Sequence, residues 1–432
     1  MNRSALLLLA IVSTQLGADW PQFRGPDGQG VAQGPAPLRW SEDSQNIRWA
    51  VDVPGRGFSS PVVIGDQVWL TTALETAGSK EEAVRRGKGG VKNEMEIASK
   101  LSLRALCYDR ASGELLHDVE LFDTTEIDPI HLLNSYASPT PVAEPGRVYC
   151  WFGTYGVAAI DTSTGEVLWR KRLPLDHYVG PGSSPVLWKD RLILTCDGAD
   201  QQYVAALDTA TGEIAWKTDR PPIREQNPDQ RKSYCTPLIV DVRGRPQAII
   251  PGAQWLVAYD PASGEELWRL DHGRGFSIVP RPVLWNDLVM CGTGFGQTEV
   301  IGVRLDGHGD VSDTHIVWRS KRQAPTQPSP VVAAGKLFTV NDQGIGVCYA
   351  DGKETPLWQK RLGGAYSASP LAVGSRVYFF NRDGLTTVLD ADSQSSEPIA
   401  ENQLPGPLMA TPALVDGELL IRTGGKLYAI GE

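Results

Sequence analysis

The feature that most constrains this chain is a unit that recurs eight times. A small residue, a proline and an apolar stretch come together at SPVV (Ser60), SPTPV (Ser138), SPVL (Ser184), TPLI (Thr236), RPVL (Arg281), SPVV (Ser329), SPLA (Ser369) and TPAL (Thr411). The equivalent prolines are read as Pro61, Pro139, Pro185, Pro237, Pro282, Pro330, Pro370 and Pro412. Their spacings run from 40 to 52 residues except the first, 78, which holds an insertion at about 75–100. Self-similarity at such a period marks an array of supersecondary units, none of which buries its apolar face alone.

The units share an internal order. After the proline stretch and a turn comes a run rich in β-branched and aromatic residues, such as QVWLTTA, RVYCWFG or KLFTV. A third run ends on aspartate, and D-x-x-x-G follows: Asp161–Gly165, Asp208–Gly212 and Asp260–Gly264, with Asp109–Gly113 close to the pattern. The aspartate suits a turn because its side chain accepts from backbone amides, and the glycine supplies positive φ. Four residues after the glycine stands Trp169, Trp216 or Trp268; Trp318 and Trp358 take that place after irregular turns. Each unit therefore reads as four antiparallel strands, and radial stacking gives an all-β, eight-bladed propeller. Tryptophans at matching positions in so many units read as blade packing rather than as cofactor platforms.

The last unit stops after three strands, and its tryptophan strand stands at the other end of the chain, in NIRWAVDVP with Trp49. The N-terminal strand is thus expected to complete the eighth blade and leave no open edge. The domain reading is a leader over 1–18, an N-terminal extension over 19–46 and the propeller over 47–432. The leader reading rests on Arg3, the apolar run Ala5–Val12 and small Ala18 before a cut at Asp19. That run is too short to span a bilayer, and no other segment reads as a membrane helix. The expected location is outside the cytoplasm, periplasmic or extracellular, as a soluble monomer.

Composition narrows the function classes. The net charge is −10 and the basic residues form no stripe, so nucleic acid is not an expected partner. The local cluster Arg85–Lys92 reads as a solvated loop. The six cysteines are widely spaced, lie in apolar runs and read as buried free thiols; no metal site is expected. The sequence lacks GxSxG, HExxH and a P-loop, and no helix follows GTGFGQ at Gly292, so no catalytic residue is assigned. Asp176–His177 suggests an acid/base pair but has no evident nucleophile. Asp109, Asp197 and Asp200 are read as turn-capping residues.

The repeats AAIDTSTGEVLW, AALDTATGEIAW and AYDPASGEELW resemble those of pyrroloquinoline-quinone-like (PQQ-like) β-propellers, over nearly all of the chain after the leader. DWPQFRGPDGQGV and LNSYASPTPV resemble exported, planctomycete-type members. Two branches carry different implications. The quinoprotein alcohol dehydrogenases imply PQQ and calcium over the propeller axis, an aspartate base and a disulfide between adjacent cysteines; this chain has no adjacent cysteines. The lipoprotein scaffold of the outer-membrane barrel-assembly machinery implies an eight-bladed, cofactor-free binding protein of similar size, without the lipidated cysteine here. The expectation is a non-catalytic binding or scaffold propeller with no cofactor, and a PQQ-dependent dehydrogenase is the alternative.

In a propeller the segments before each inner strand gather at one mouth of the channel. Those segments hold His131, Asn134, Tyr136, His177, Tyr178, Arg231, Tyr234, His272, Arg274, Arg281 and Gln327. Arg56, Lys232, Phe58, Phe276 and Tyr366 lie in the same segments. These donors and flat rings are the candidate site for a polar small ligand or a protein segment.

Overall fold

The structure is a computed structural model that describes residues 19–44 and 46–431. The leader reading over 1–18 lies outside those residues. Eight four-stranded antiparallel blades stand around a channel, two of them with an added short parallel strand; from the axis outward the strands follow sequence order, except that the outermost strand of the last blade is the N-terminal Ile47–Asp52. The inner strands are Val62–Ile64, Val142–Glu144, Val186–Trp188, Leu238–Val242, Val283–Trp285, Val331–Ala333, Leu371–Val373 and Ala413–Val415. The blades are numbered 1 to 8 in that order. The expected all-β eight-bladed propeller is thus the observed fold.

Blade 2 corrects one expected equivalence. Its inner strand begins at Val142, so Thr140–Pro141 matches Ser60–Pro61, and Ser138–Pro139 lies two residues upstream. A shift of two leaves side-chain direction unchanged in a strand, so alternation could not separate the two prolines.

Blade 8 closes as expected. Ile47–Asp52 pairs antiparallel with Lys426–Ile430, with Trp49 opposite Ala429. Trp49 also reaches the next blade, where its Nε1–H donates to Arg110 O at 2.8 Å. Trp169 and Trp216 repeat this contact on Thr209 O (3.0 Å) and Pro261 O (3.1 Å). In each case the indole lies against the glycine of the neighbour's D-x-x-x-G turn. At Gly212 φ is +73° and an added Cβ would stand 2.5 Å from the Trp169 ring. The glycine therefore serves the turn and the interblade contact together. In the fourth strand of blade 1 His117 takes the tryptophan's place and stacks on Trp69.

The N-terminal extension is part of the propeller. Trp20 exchanges backbone hydrogen bonds with Val63 of blade 1, and Pro21 O accepts from Ala143 of blade 2. The chain then crosses the axis, and Val31–Ala32 pairs in parallel with the inner strand of blade 7. Trp40 stacks on Tyr378 before the chain reaches blade 8. The insertion in blade 1 is also ordered. Long strands Gln67–Ala77 and Ala98–Asp109 carry helix Lys80–Arg86, whose Ser79 cap accepts from Glu82 N, and a 3-10 turn Gly89–Glu94. All six cysteines are buried and free. Among the described residues no helix is long and apolar enough to cross a membrane.

Trp49→Ala should cost about 3–5 kcal/mol, the usual range for emptying a tryptophan site. Deleting residues through Val53 should cost more, because it also removes the outer strand of blade 8. Denaturant unfolding measures both, and a truncated protein as stable as the parent would contradict the closure.

Candidate functional site

The channel is a cup of about 410 Å³, open at the mouth where the inner strands begin. Each inner strand is preceded by an extended segment, so every second residue faces the axis. The residues just before the strand prolines form one layer: Ser60, Thr140, Ser184, Thr236, Arg281, Ser329, Ser369 and Thr411. Seven of them carry hydroxyls, and all seven line the cup. Two residues upstream lies a second, more varied layer that includes Phe58, Tyr234, Val279, Gln327 and Met409.

The uniform layer is a belt. Ser60 N donates to Thr140 Oγ1 (2.9 Å), Thr140 N to Ser184 Oγ (2.9 Å) and Ser184 N to Thr236 Oγ1 (3.0 Å). The run breaks at Arg281 and resumes from Arg281 N to Ser329 Oγ (2.9 Å), Ser329 N to Ser369 Oγ (3.0 Å) and Ser369 N to Thr411 Oγ1 (2.9 Å). At the seam between blades 8 and 1, buried Arg422 donates to Ser59 Oγ at 2.7 Å and Thr71 O at 2.8 Å.

The floor is the N-terminal segment. Phe23 lines the cup, and its carbonyl accepts from Arg281 Nη1. Arg281 Nη2 donates to Gln22 Oε1 at 3.0 Å and Nε to Pro237 O at 3.0 Å. Arg24 Nη2 donates to Pro330 O and Gln29 O, both at 2.6 Å. Both guanidiniums are buried, with carbonyls and an amide as acceptors. Burial and the like charge of Arg281 push Arg24 down to about 9, and burial pushes Arg281 down to about 10; both stay charged at neutral pH. Gly28 has φ +73°, and a Cβ there would lie 2.4 Å from the Arg281 guanidinium carbon. The run FRGPDGQG is therefore the fitted end of the channel.

On one wall the insertion docks on the rim, and Val91 joins the lining. Lys88 pairs with Asp176 (2.5 Å), Arg86 with Asp128 (3.2 Å) and His131 Nε2 with Glu94 (3.1 Å). Lys232 is 2% exposed, pairs with Asp229, and lies over Tyr178 and Phe276. Across the cup Gln327 Oε1 accepts from Ser367 Oγ (2.8 Å) and from Arg382.

Of the eleven candidate residues, His131, Asn134, Tyr234 and Gln327 line the cup. The other seven do not. Tyr136 is fully buried in the core, where its hydroxyl donates to Asp128 O. His177 Nε2 accepts from Thr154 N, while Asp176 faces Lys88, so the two are not an acid/base pair. Tyr178 lies between Lys88 and Lys232 at the rim. Arg231 bonds Gln202, buried His272 bonds Gly252 O, and Arg274 is exposed. Arg281 points below the floor. Asp197 is no turn cap: it forms a buried ion pair with Arg220 at 2.8 Å. Asp109 does cap its turn, accepting from Ser112 N at 2.8 Å. Phe23, Val91, Asp229, Phe295 and the hydroxyl belt were not among the candidates. Alternation counted back from each strand proline is the signal that would have found the belt.

Gly28→Ala and Arg281→Met should loosen the floor without unfolding the blades. Backbone strain of about 1–2 kcal/mol at Gly28 implies roughly tenfold faster hydrogen exchange at the Trp20 and Gly30 amides. Unchanged exchange would contradict the anchoring role. His177 adds a pH effect. Burial holds it down to about 4, against about 6.5 when unfolded. The unfolded chain binds the extra proton between those values, so stability falls as pH drops through that window. His177→Gln should flatten this part of the stability–pH curve, as thermal melts from pH 4 to 7 would show.

The family profile described as outer membrane protein assembly factor BamB matches residues 101–241 and 310–431, more than half of the chain. No curated protein sequence matches it. Among solved structures, BamB from Moraxella catarrhalis is 13% identical with a TM-score of 0.59, over 89% of this chain and 99% of that one. A europium-containing methanol dehydrogenase is 11% identical with a TM-score of 0.65, over 97% and 99%. A quinohemoprotein alcohol dehydrogenase from Pseudomonas putida is 12% identical with a TM-score of 0.60, over 95% and 80%. At these identities the structural likeness is one of fold. The profile match and the eight-bladed fold together place this chain in the BamB family of PQQ-like repeat propellers.

Proposed function

We propose that this chain is an exported, non-catalytic binding propeller that takes a ligand, or the end of a partner, into the cup. The observation that carries the reading is a single-ended cup with apolar walls, floored by the chain's own N-terminal segment. Phe58, Phe276, Phe295, Leu133 and Met409 supply walls suited to binding, and the polar groups at the rim are paired with one another. Export is supported by the leader-like sequence of residues 1–18 and by the family.

The alternative occupant, PQQ with calcium, meets a poor donor set. PQQ is a rigid tricarboxylate, and among the described residues the one lysine or arginine lining the cup, Lys232, is already paired with Asp229. Asn134 Oδ1 already accepts from Ser135 N and Ser138 Oγ. No cluster of three His, Cys, Asp or Glu side chains fit to hold a metal occurs among the described residues.

The test uses the purified protein and a neutral apolar dye, Nile red. One site should bind it, and Phe58→Asp should abolish binding with little change in melting temperature, since Phe58 faces the cup. Dye binding untouched by Phe58→Asp would overturn the cup as the site. Protein supplied with PQQ and calcium should not reduce an electron-accepting dye when alcohols or sugars are added; reduction would overturn the non-catalytic reading.

A further inference from the structure

The belt leaves seven donors unspent. A hydroxyl has one hydrogen to donate and two lone pairs to accept with. In the belt, Thr140, Ser184, Thr236, Ser329, Ser369 and Thr411 each use a lone pair on a neighbouring blade's N–H. Among the described residues Ser60 Oγ makes no hydrogen bond. Among the described residues none of the seven donates its hydrogen to a protein acceptor, although each side chain belongs to a residue 4% exposed or less. All seven face the cup, where their hydrogens are open to an acceptor from outside the chain, solvent or ligand.

The charge beneath them points the same way. Arg24 and Arg281 lie under the floor, and neither forms an ion pair with a carboxylate among the described residues. Arg24 Nη1 is buried with no hydrogen-bond partner at all. The carboxylate that acts on both guanidiniums is Asp27, which is exposed. Two buried cations without close counter-charge favour an anion nearby, and hydrogen bonds to an ionised acceptor are roughly twice as strong as neutral ones. Above the belt the walls turn apolar and aromatic. A ligand that satisfies the whole cup carries negative charge at its inner end only.

We infer that the hydroxyl belt is an oxyanion site, and that the cup takes an apolar monocarboxylate with its carboxylate on the belt and its body against Phe58, Tyr234, Phe276 and Phe295. A neutral polyol could use the same donors but would leave the two arginines uncompensated. The inference rests on the cup being a binding site and adds the chemistry of its occupant. The same chemistry has two sources, a free aryl or medium-chain acid and the C-terminus of a peptide that ends in an apolar residue.

Titration calorimetry with 3-phenylpropionate and octanoate, each against its primary amide, reads the head group. A tetrapeptide ending in free Phe, against the same peptide amidated, reads the source. The acid should bind at least tenfold tighter than the amide in one or both arms. Ser60→Ala removes a donor that the belt does not use, so stability should hold while acid affinity drops about tenfold, the worth of one hydrogen bond to a charged group. Thr236→Ser should keep acid binding where Thr236→Val loses it. Preference in the peptide arm alone assigns a C-terminus; preference in both assigns small acids as well. Equal binding of acid and amide, or an unchanged affinity in Ser60→Ala, would overturn the inference. If Nile red binds but none of the acids and neither peptide does, the inference is overturned while the binding propeller stands.

Discussion

The structure depends on how eight inner strands end at the channel. An inner strand is an edge, and an unpaired edge invites association. Proline at its start has no N–H to leave open and holds the preceding residue in extended backbone. That preceding residue keeps its own N–H, which needs an acceptor. A serine or threonine on the next blade supplies one, so a single residue type serves as acceptor for one neighbour and donor to the other. Six such bonds, worth about 1 kcal/mol each, tie blade to blade around the axis. The outer tryptophans Trp49, Trp169 and Trp216 do the same at the rim, where their indoles donate across the gap to the next blade's turn.

Where the belt is interrupted, the interruption has a use. Blade 5 has Arg281 in place of a hydroxyl, and its guanidinium instead holds Gln22 and Phe23 across the far end of the channel. The N-terminal chain thus contributes twice, first as a floor and then, through Trp49, as the last strand of the ring. A propeller with this floor has one mouth. The closed end of the cup, held by the buried Arg281, follows from that choice at one repeat position.

The fold was legible because it repeats. Eight proline units, the D-x-x-x-G turns and the displaced strand around Trp49 each constrain the same architecture, so an error in one unit, as with Pro139 for Pro141, left the ring intact. The site was only partly legible. Tyr234 and Gln327 stand at the cup-facing position of their units, and His131 and Asn134 sit at the rim. Tyr136, His177 and His272 share the same segments but are turned into packing by neighbours distant in sequence, such as Asp128, Thr154 and Gly252. Segment membership cannot reveal such turns. The floor was illegible for a related reason: FRGPDGQG has no periodicity, and Gly28 and Gly30 make sense only once Arg281 and Arg24 are known to press against them.

The two layers of the cup divide fold from function. The layer at the prolines is nearly invariant across the eight blades, because each member must bond its neighbour. The next layer up varies from glycine to tyrosine, because nothing in the ring constrains it. Recognition chemistry can therefore change in the upper layer without cost to closure, while the belt offers the same donors to whatever enters. The variation among blades therefore gathers at positions such as Phe58, Tyr234, Gln327 and Met409 rather than in the repeat itself.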